Sequence, residues 1–258
     1  MRAMIFAAGL GTRLKPLTDA LPKALVPVCG RPLLDYVLEK VFAVQGPSGS
    51  GSMIDRAVVN VHHFADKIES YVAGRPDLSA KVAFSDEREC LLETGGAILH
   101  ARLLLEGGGS FIVHNVDILS DADLSWLAAA HQADSVATLL VSGRRTSRYL
   151  LFDSQDMRLK GWMNESTGEI RSPFPDLRPE SCQKLAFSGI HVMSDSIFDL
   201  MQAYADEHSL RFPVMDFYLS ICREFPIYGV AADSLTMIDV GKLDTLASAE
   251  AFVKSQFI

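Results

Sequence analysis

Arg2-Ala3-Met4-Ile5-Phe6-Ala7-Ala8-Gly9-Leu10-Gly11-Thr12-Arg13 is the stretch on which the fold turns. Residues 2–7 form the short continuous apolar run that a buried parallel strand needs. Two glycines follow at once, so the backbone can come close to a phosphate and present successive N–H groups to it. Arg13 can grip phosphate oxygens through two donors, and Lys23 adds a point charge.

Outward from this turn the same rhythm repeats. Pro32 suits an early helical position, and Leu34, Val37, Leu38, Val41 and Phe42 follow with helical spacing. Residues 46–52, rich in Gly and Ser, read as a flexible loop. Residues 57–61, 81–85, 111–115 and 135–141 read as strands, separated by helices over 64–72, 95–105 and 123–133. Strands alternating with helices predict an α/β fold with a mostly parallel sheet and helices on both faces. Ligands bind such sheets at the carboxyl ends of the strands, where Gly9 to Arg13 and Asn115 to Asp117 lie.

The second half is less regular. Residues 149–152 and 159–163 read as antiparallel strands, and 164–184, interrupted by Gly168, Pro173, Pro175 and Pro179, as a long loop. A strand over 187–192, helices from 195 and over 214–223, strands over 227–231 and 237–240, and a helix over 242–257 complete the reading.

Composition narrows the function. The 258 residues carry a net charge of −8, which argues against general nucleic-acid binding, and no apolar run is long enough for a membrane span. Within residues 1–34, however, five cations stand against Asp19 alone, a local +4. A basic head on an acidic chain suggests an anion site around the glycine turn. Cys29, Cys90, Cys182 and Cys222 form no C-x-x-C pair, which predicts free thiols and a cytoplasmic protein. The G-x-x-x-x-G-K-[ST] loop is absent. A dinucleotide-binding oxidoreductase would need a third glycine where Leu14 stands, and an acid where Asn60 and His62 stand.

The whole string from Ala7 to Thr18, with Pro22-Lys23-Ala24-Leu25-Val26-Pro27-Val28 behind it, resembles the signature of the nucleotidyltransferases that make nucleotide sugars. That resemblance implies the Rossmann-like nucleotide-diphospho-sugar transferase fold. It implies one domain over 1–258, with a nucleotide-binding half (1–141) and a sugar-phosphate-binding half (142–258). It also implies substrates, a nucleoside triphosphate and a sugar 1-phosphate, with pyrophosphate released. Arg13 and Lys23 become catalytic candidates, and Ala8, Gly9, Gly11 and Thr12 nucleotide-binding ones.

Asp117 in Val113-His114-Asn115-Val116-Asp117, and Asp239 in Met237-Ile238-Asp239-Val240-Gly241-Lys242, fall where the family holds Mg²⁺. Val116 and Lys242 depart from the family's usual glycine and threonine. Gly95, in Leu92-Glu93-Thr94-Gly95-Gly96, and Glu87 fall where the family contacts the nucleoside. Gly189, in Phe187-Ser188-Gly189-Ile190-His191, and Lys160 fall on the sugar-phosphate side.

Within the family the Leu-Glu-Thr-Gly-Gly turn, the Phe-Ser-Gly-Ile-His strand and the late Asp-Val-Gly segment look most like the N-acetylmuramate-1-phosphate uridylyltransferases. Mannose-1-phosphate guanylyltransferases come second. From another class, a catalytically weak nucleotide-sugar-binding protein would account for Val116 and Lys242. The sequence leaves open whether the chain forms a homo-oligomer.

Overall fold

The structure, a computed structural model, describes residues 1–46 and 51–257. The chain opens with β1 (Arg2–Phe6), three short 3-10 turns, and the two-residue strands β2 (Pro27–Val28) and β3 (Arg31–Pro32). Next come α1 (Leu33–Phe42), β4 (Arg56–Val61), α2 (Ala65–Ala73), α3 (Pro76–Ser79) and β5 (Val82–Asp86). Then follow α4 (Glu93–His100), α5 (Arg102–Leu105), β6 (Ser110–Asn115), β7 (Ile118–Ser120), α6 (Leu124–Ala129) and β8 (Ala137–Ser142). The second half holds β9 (Arg148–Asp153), β10 (Leu159–Asn164), β11 (Glu169–Arg171) and β12 (Cys182–Ser194). It ends with α7 (Ile197–Glu207), α8 (Val214–Ile221), β13 (Ile227–Ala231), β14 (Met237–Asp239) and α9 (Leu246–Phe257).

The main sheet has the order β11-β10-β9-β12-β6-β1-β4-β5, with β8 pairing β12 and β13 pairing β8. β1 sits between β4 and β6, parallel to both, with Ala3 opposite Ala57 and Ile112. β12 runs antiparallel to β6, β8 and β9. The sheet is thus mixed but mostly parallel, since β1, β4, β5, β6, β8 and β13 share one direction.

Period-two alternation divides the strands between two cores. Ala3, Ile5, Ala57, Val59 and Ile112 face one core, shared with Leu34, Leu38 and Val41 of α1, Ile68 of α2 and Phe252 of α9. Met4, Val58, Phe111 and Val113 face the other, shared with Ile98 of α4, Phe198 and Met201 of α7, and Phe217 of α8. Because both faces are covered, the central strands are apolar on both sides, and Ala3, Met4 and Ile5 are all fully buried.

Several sequence boundaries move. The segment 164–184 is not one long loop: β11 pairs with β10, and β12 already begins at Cys182. Gly168, read as a break, makes a turn instead; its φ is +74° and its N–H bonds to the Asn164 carbonyl at 2.8 Å. The helix expected over 95–105 starts at Glu93 and divides at Ala101 into α4 and α5. The helix expected over 123–133 has Asp123 as its cap, accepting from the Ser125 and Trp126 N–H groups, and ends at Ala129. The last helix is a 3-10 turn, Leu243–Thr245, before α9. The loop expected over 46–52 falls mainly on 47–50, outside the described residues; Gln45 and Ser52 beside it form an isolated bridge.

Candidate active site

A cavity of about 340 Å³ opens at the carboxyl ends of β1, β4 and β6. Its floor is Phe6 to Gly9 and its sides include Lys23, Thr94 and Asp117. The glycine turn leaves β1 in a constrained conformation. Gly11 has φ +64°, and a Cβ there would come within 2.8 Å of Thr18 Cγ2 and 3.2 Å of Lys23 Cβ. The glycine therefore lets the 3-10 turn of Thr12 to Leu14 and Lys23 stand against one another. Gly9 and Thr12 belong to the same turn, with Gly9 in the cavity wall.

β7 and β14 bring two distant carboxylates together. Asp239 stands opposite Ile118 in their antiparallel ladder, and the Val240 N–H bonds to the Asp117 carbonyl at 2.8 Å. Burial pushes the Asp239 carboxyl above its ordinary range, and the charge of Asp117 pushes it further, against the pull of Lys23, Arg13 and Arg144. The Lys23 ammonium forms an ion pair with Asp117 Oδ2. A Cβ on Gly241 would lie 2.7 Å from Asp239 Oδ1 and 3.0 Å from Arg13 Nη2, so Gly241 leaves room for both side chains. Arg13, Lys23, Asp117 and Asp239, scattered through the chain, thus form one cluster of alternating sign.

Two neighbouring carboxylates at the mouth of a cavity are a donor set for a hard divalent ion, provided that Lys23 gives up Asp117. Among the described residues no group of three or more His, Cys, Asp and Glu side chains forms a metal cage. The pair fits an ion that takes one or two carboxylates from the protein and its other oxygens from substrate phosphates and water.

Behind the cavity lies a hydrogen-bonded brace. Asn60 Oδ1 accepts from the Ala7 and Ala8 N–H groups at 2.7 and 3.3 Å. Its Nδ2 donates to Glu87 Oε1 at 2.7 Å, and Glu87 Oε2 accepts from the Leu92 N–H at 3.0 Å. Asn60 is 3% exposed and Glu87 2%. Glu87 therefore stands behind the cavity, tying its Ala7–Ala8 floor to its Leu91–Thr94 wall. Ala8 lines the cavity, but its N–H is committed to Asn60.

Gly95 is likewise held from within. A Cβ there would lie 2.3 Å from the Phe212 ring, and its N–H bonds to the Phe212 carbonyl at 2.8 Å. The close approach allowed at Gly95 is filled by the protein itself, while Glu93 and Thr94 form the cavity wall.

Gly189 lines a second hollow of about 250 Å³ with Asn115, Arg144, Ser188 and Asp239. Its φ is +75°, and a Cβ would lie 2.7 Å from Asn115 Nδ2. The β12–β8 register shifts between Phe187 and His191 around it. Asn115 is common to both cavities. Lys160 is elsewhere: it pairs with Asp153 at 3.5 Å, lies over the Phe174 ring, and lines a separate hollow with Arg178 and Arg223.

Two site residues escaped the sequence reading. Asn60 is the penultimate residue of a parallel strand beside the glycine turn, a position that could have marked it. Arg144 follows β8 by two residues, but nothing local tells it from Arg145 and Arg148.

Overall similarity to solved structures defines the fold first. The chain resembles a putative glucose-1-phosphate thymidylyltransferase from Bacillus anthracis in complex with a sucrose, with a TM-score of 0.77, 15% identity and coverage of 100% of this chain and 97% of that one. It also resembles an apo UDP-glucose pyrophosphorylase, with a TM-score of 0.74, 16% identity and full coverage of both chains. The fold is that of the nucleotide-diphospho-sugar transferases.

The chain belongs to the nucleotidyl transferase family, whose pattern residues 2–153 match. It is similar to the N-acetylmuramate alpha-1-phosphate uridylyltransferase of Caulobacter vibrioides, at 33% identity over 96% of this chain and 95% of that protein. It is also similar to the protein of the same name from Neisseria meningitidis serogroup B, at 32% identity over 79% of each. No helix among the described residues is long and apolar enough to cross a membrane.

Proposed function

We propose that the protein transfers a uridylyl group from UTP to N-acetylmuramate 1-phosphate and releases pyrophosphate. The observation that carries the reaction is the meeting of Asp117 and Asp239 beside Lys23 and Arg13 at the mouth of the cavity. The base and sugar are supported by similarity along nearly the whole chain to a relative of that activity.

An oxygen of the sugar phosphate attacks the α-phosphorus, and the bond to pyrophosphate breaks. The attacking phosphate is already anionic, so positioning and charge carry the rate and no general base is needed. The turn of Gly9, Gly11 and Thr12 receives the triphosphate, and Arg13 holds its oxygens. Lys23 exchanges Asp117 for phosphate oxygen as the two substrates close. Asp117 and Asp239 would hold Mg²⁺, which would supply charge neutralisation for the phosphates. Residues 1–141 build the nucleotide side, while 142–258 contribute Gly189, Arg144 and Asp239. The free cysteines support a reducing, cytoplasmic setting.

The test pairs UTP, GTP and other triphosphates with a panel of sugar 1-phosphates and identifies products by mass. The expected product is the uridine diphosphate derivative of N-acetylmuramate. Preferential guanylyl transfer to mannose 1-phosphate would overturn the substrate reading, and binding of a nucleotide sugar without any turnover would overturn the enzyme reading. Asp239→Asn is expected to abolish pyrophosphate release at every Mg²⁺ concentration of a titration.

A further inference from the structure

The two cavities divide the charges of the site unequally. Lys23 and Asp117 line the first, Asp239 and Arg144 the second, and Asn115 stands between them. Lys23 is neutralised by Asp117. Arg144 has no such partner: among the described residues no carboxylate comes within ion-pair distance of it. Its one hydrogen bond there runs from Nη2 to the Phe187 carbonyl, at 3.0 Å. That bond anchors the guanidinium to the strand that carries Gly189. The remaining donors of its five N–H groups are left for a ligand.

The reacting phosphate belongs at Lys23 and the aspartate pair. The two hollows adjoin at Asn115, so a sugar attached to that phosphate can extend past Asn115 into the hollow of Gly189, Ser188 and Arg144. Arg144 lines that hollow and would face the sugar within it. A rigid, planar guanidinium matches a planar carboxylate through paired N–H···O bonds. We propose that Arg144 recognises a carboxylate carried by the sugar ring, so that the second hollow selects an acidic sugar 1-phosphate over its neutral counterpart. The inference rests on the proposed substrate reading, in which the lactyl ether of N-acetylmuramate supplies that carboxylate.

The test compares wild type and Arg144→Gln on N-acetylmuramate 1-phosphate and on N-acetylglucosamine 1-phosphate, which has the same ring without the lactyl group. Removing a hydrogen-bonded charge pair is expected to lower kcat/KM for the acidic sugar by roughly 10- to 100-fold, mainly through KM. The preference for the acidic over the neutral sugar, read as the ratio of their kcat/KM values, should fall by about the same factor, because only the acidic sugar brings a carboxylate to the guanidinium. Arg144→Lys should recover part of the loss, because it restores charge without the fork. Equal losses on both sugars would overturn the inference, because they would place Arg144 on the shared phosphate. No loss on either would overturn it as well. A wild-type enzyme that turns over no N-acetylmuramate 1-phosphate would remove the substrate reading and the inference together, and so marks the failure of the former.

Discussion

Arg13 is exposed, touches the region of Asp239 and Gly241, and supports no core. Arg13→Ala should therefore leave the unfolding midpoint nearly unchanged while turnover falls by orders of magnitude, read as pyrophosphate release at saturating substrates. Glu87 has the opposite profile. An ionised carboxylate only accepts hydrogen bonds, and both of its oxygens face donors. In Glu87→Gln the amide would set its own N–H against Asn60 or the Leu92 N–H, leaving a buried donor unpaired at a cost of about 1–3 kcal/mol. Denaturant unfolding measures that cost. Because Glu87 braces both cavity walls, KM for the triphosphate should rise, but the preference between UTP and GTP should not change. A switch in preference would mean that the carboxylate touches the base.

At the scale of elements, the first half was legible because its signals are local. Residues 2–7 are apolar on both faces because β1 lies between two strands and two cores, and Gly9 and Gly11 mark its end. The misreadings came from long-range pairing. Nothing near Cys182 announces that its strand will find partners in β9, β8 and β6. Lys160 follows the same logic: the β10–β9 ladder slips between Leu159 and Gly161, and the lysine beside that irregularity lies with Asp153 in a separate hollow. Gly95 was legible as a necessary glycine, but its reason, the ring of Phe212, lies 117 positions further along the chain. Its consequence is measurable. Gly95→Ala would drive a methyl into that ring, and overpacking of this kind should cost about 1–3 kcal/mol in unfolding experiments. The mutation should also displace Thr94, whose Oγ1 accepts from the Val214 N–H at 2.9 Å.

At the scale of the whole molecule, the two cores enclose two histidines of the central sheet. Burial holds the imidazole of His191 down to about 3 and that of His114 to about 4. His191 Nδ1 lies 2.6 Å from the Tyr218 hydroxyl, within hydrogen-bonding distance. In the unfolded chain both rings titrate near the ordinary 6.5. Between pH 6.5 and 4 the unfolded state therefore binds more protons, and the fold loses stability as pH falls through that window. Asp239, with a raised pKa, contributes the opposite sign, but as one group against two. The thermal midpoint should be highest above pH 6.5 and decline steadily toward pH 4. Replacing His191 by a residue that does not titrate should flatten part of the decline.

The short ladder between β7 and β14 has a consequence in time as well as in space. All of β1, β4 and β6 precede Asp117, whereas Asp239 arrives only with the last strand. A ribosome making this chain therefore releases the glycine turn long before the second carboxylate emerges, while the Thr94 wall waits for Phe212 and Val214. Until β14 docks on β7, the growing polypeptide holds half of the charge pattern on which the proposed reaction rests. Prematurely ended or clipped chains lacking Met237–Asp239 should thus be silent, sparing the cell fragments that consume triphosphate.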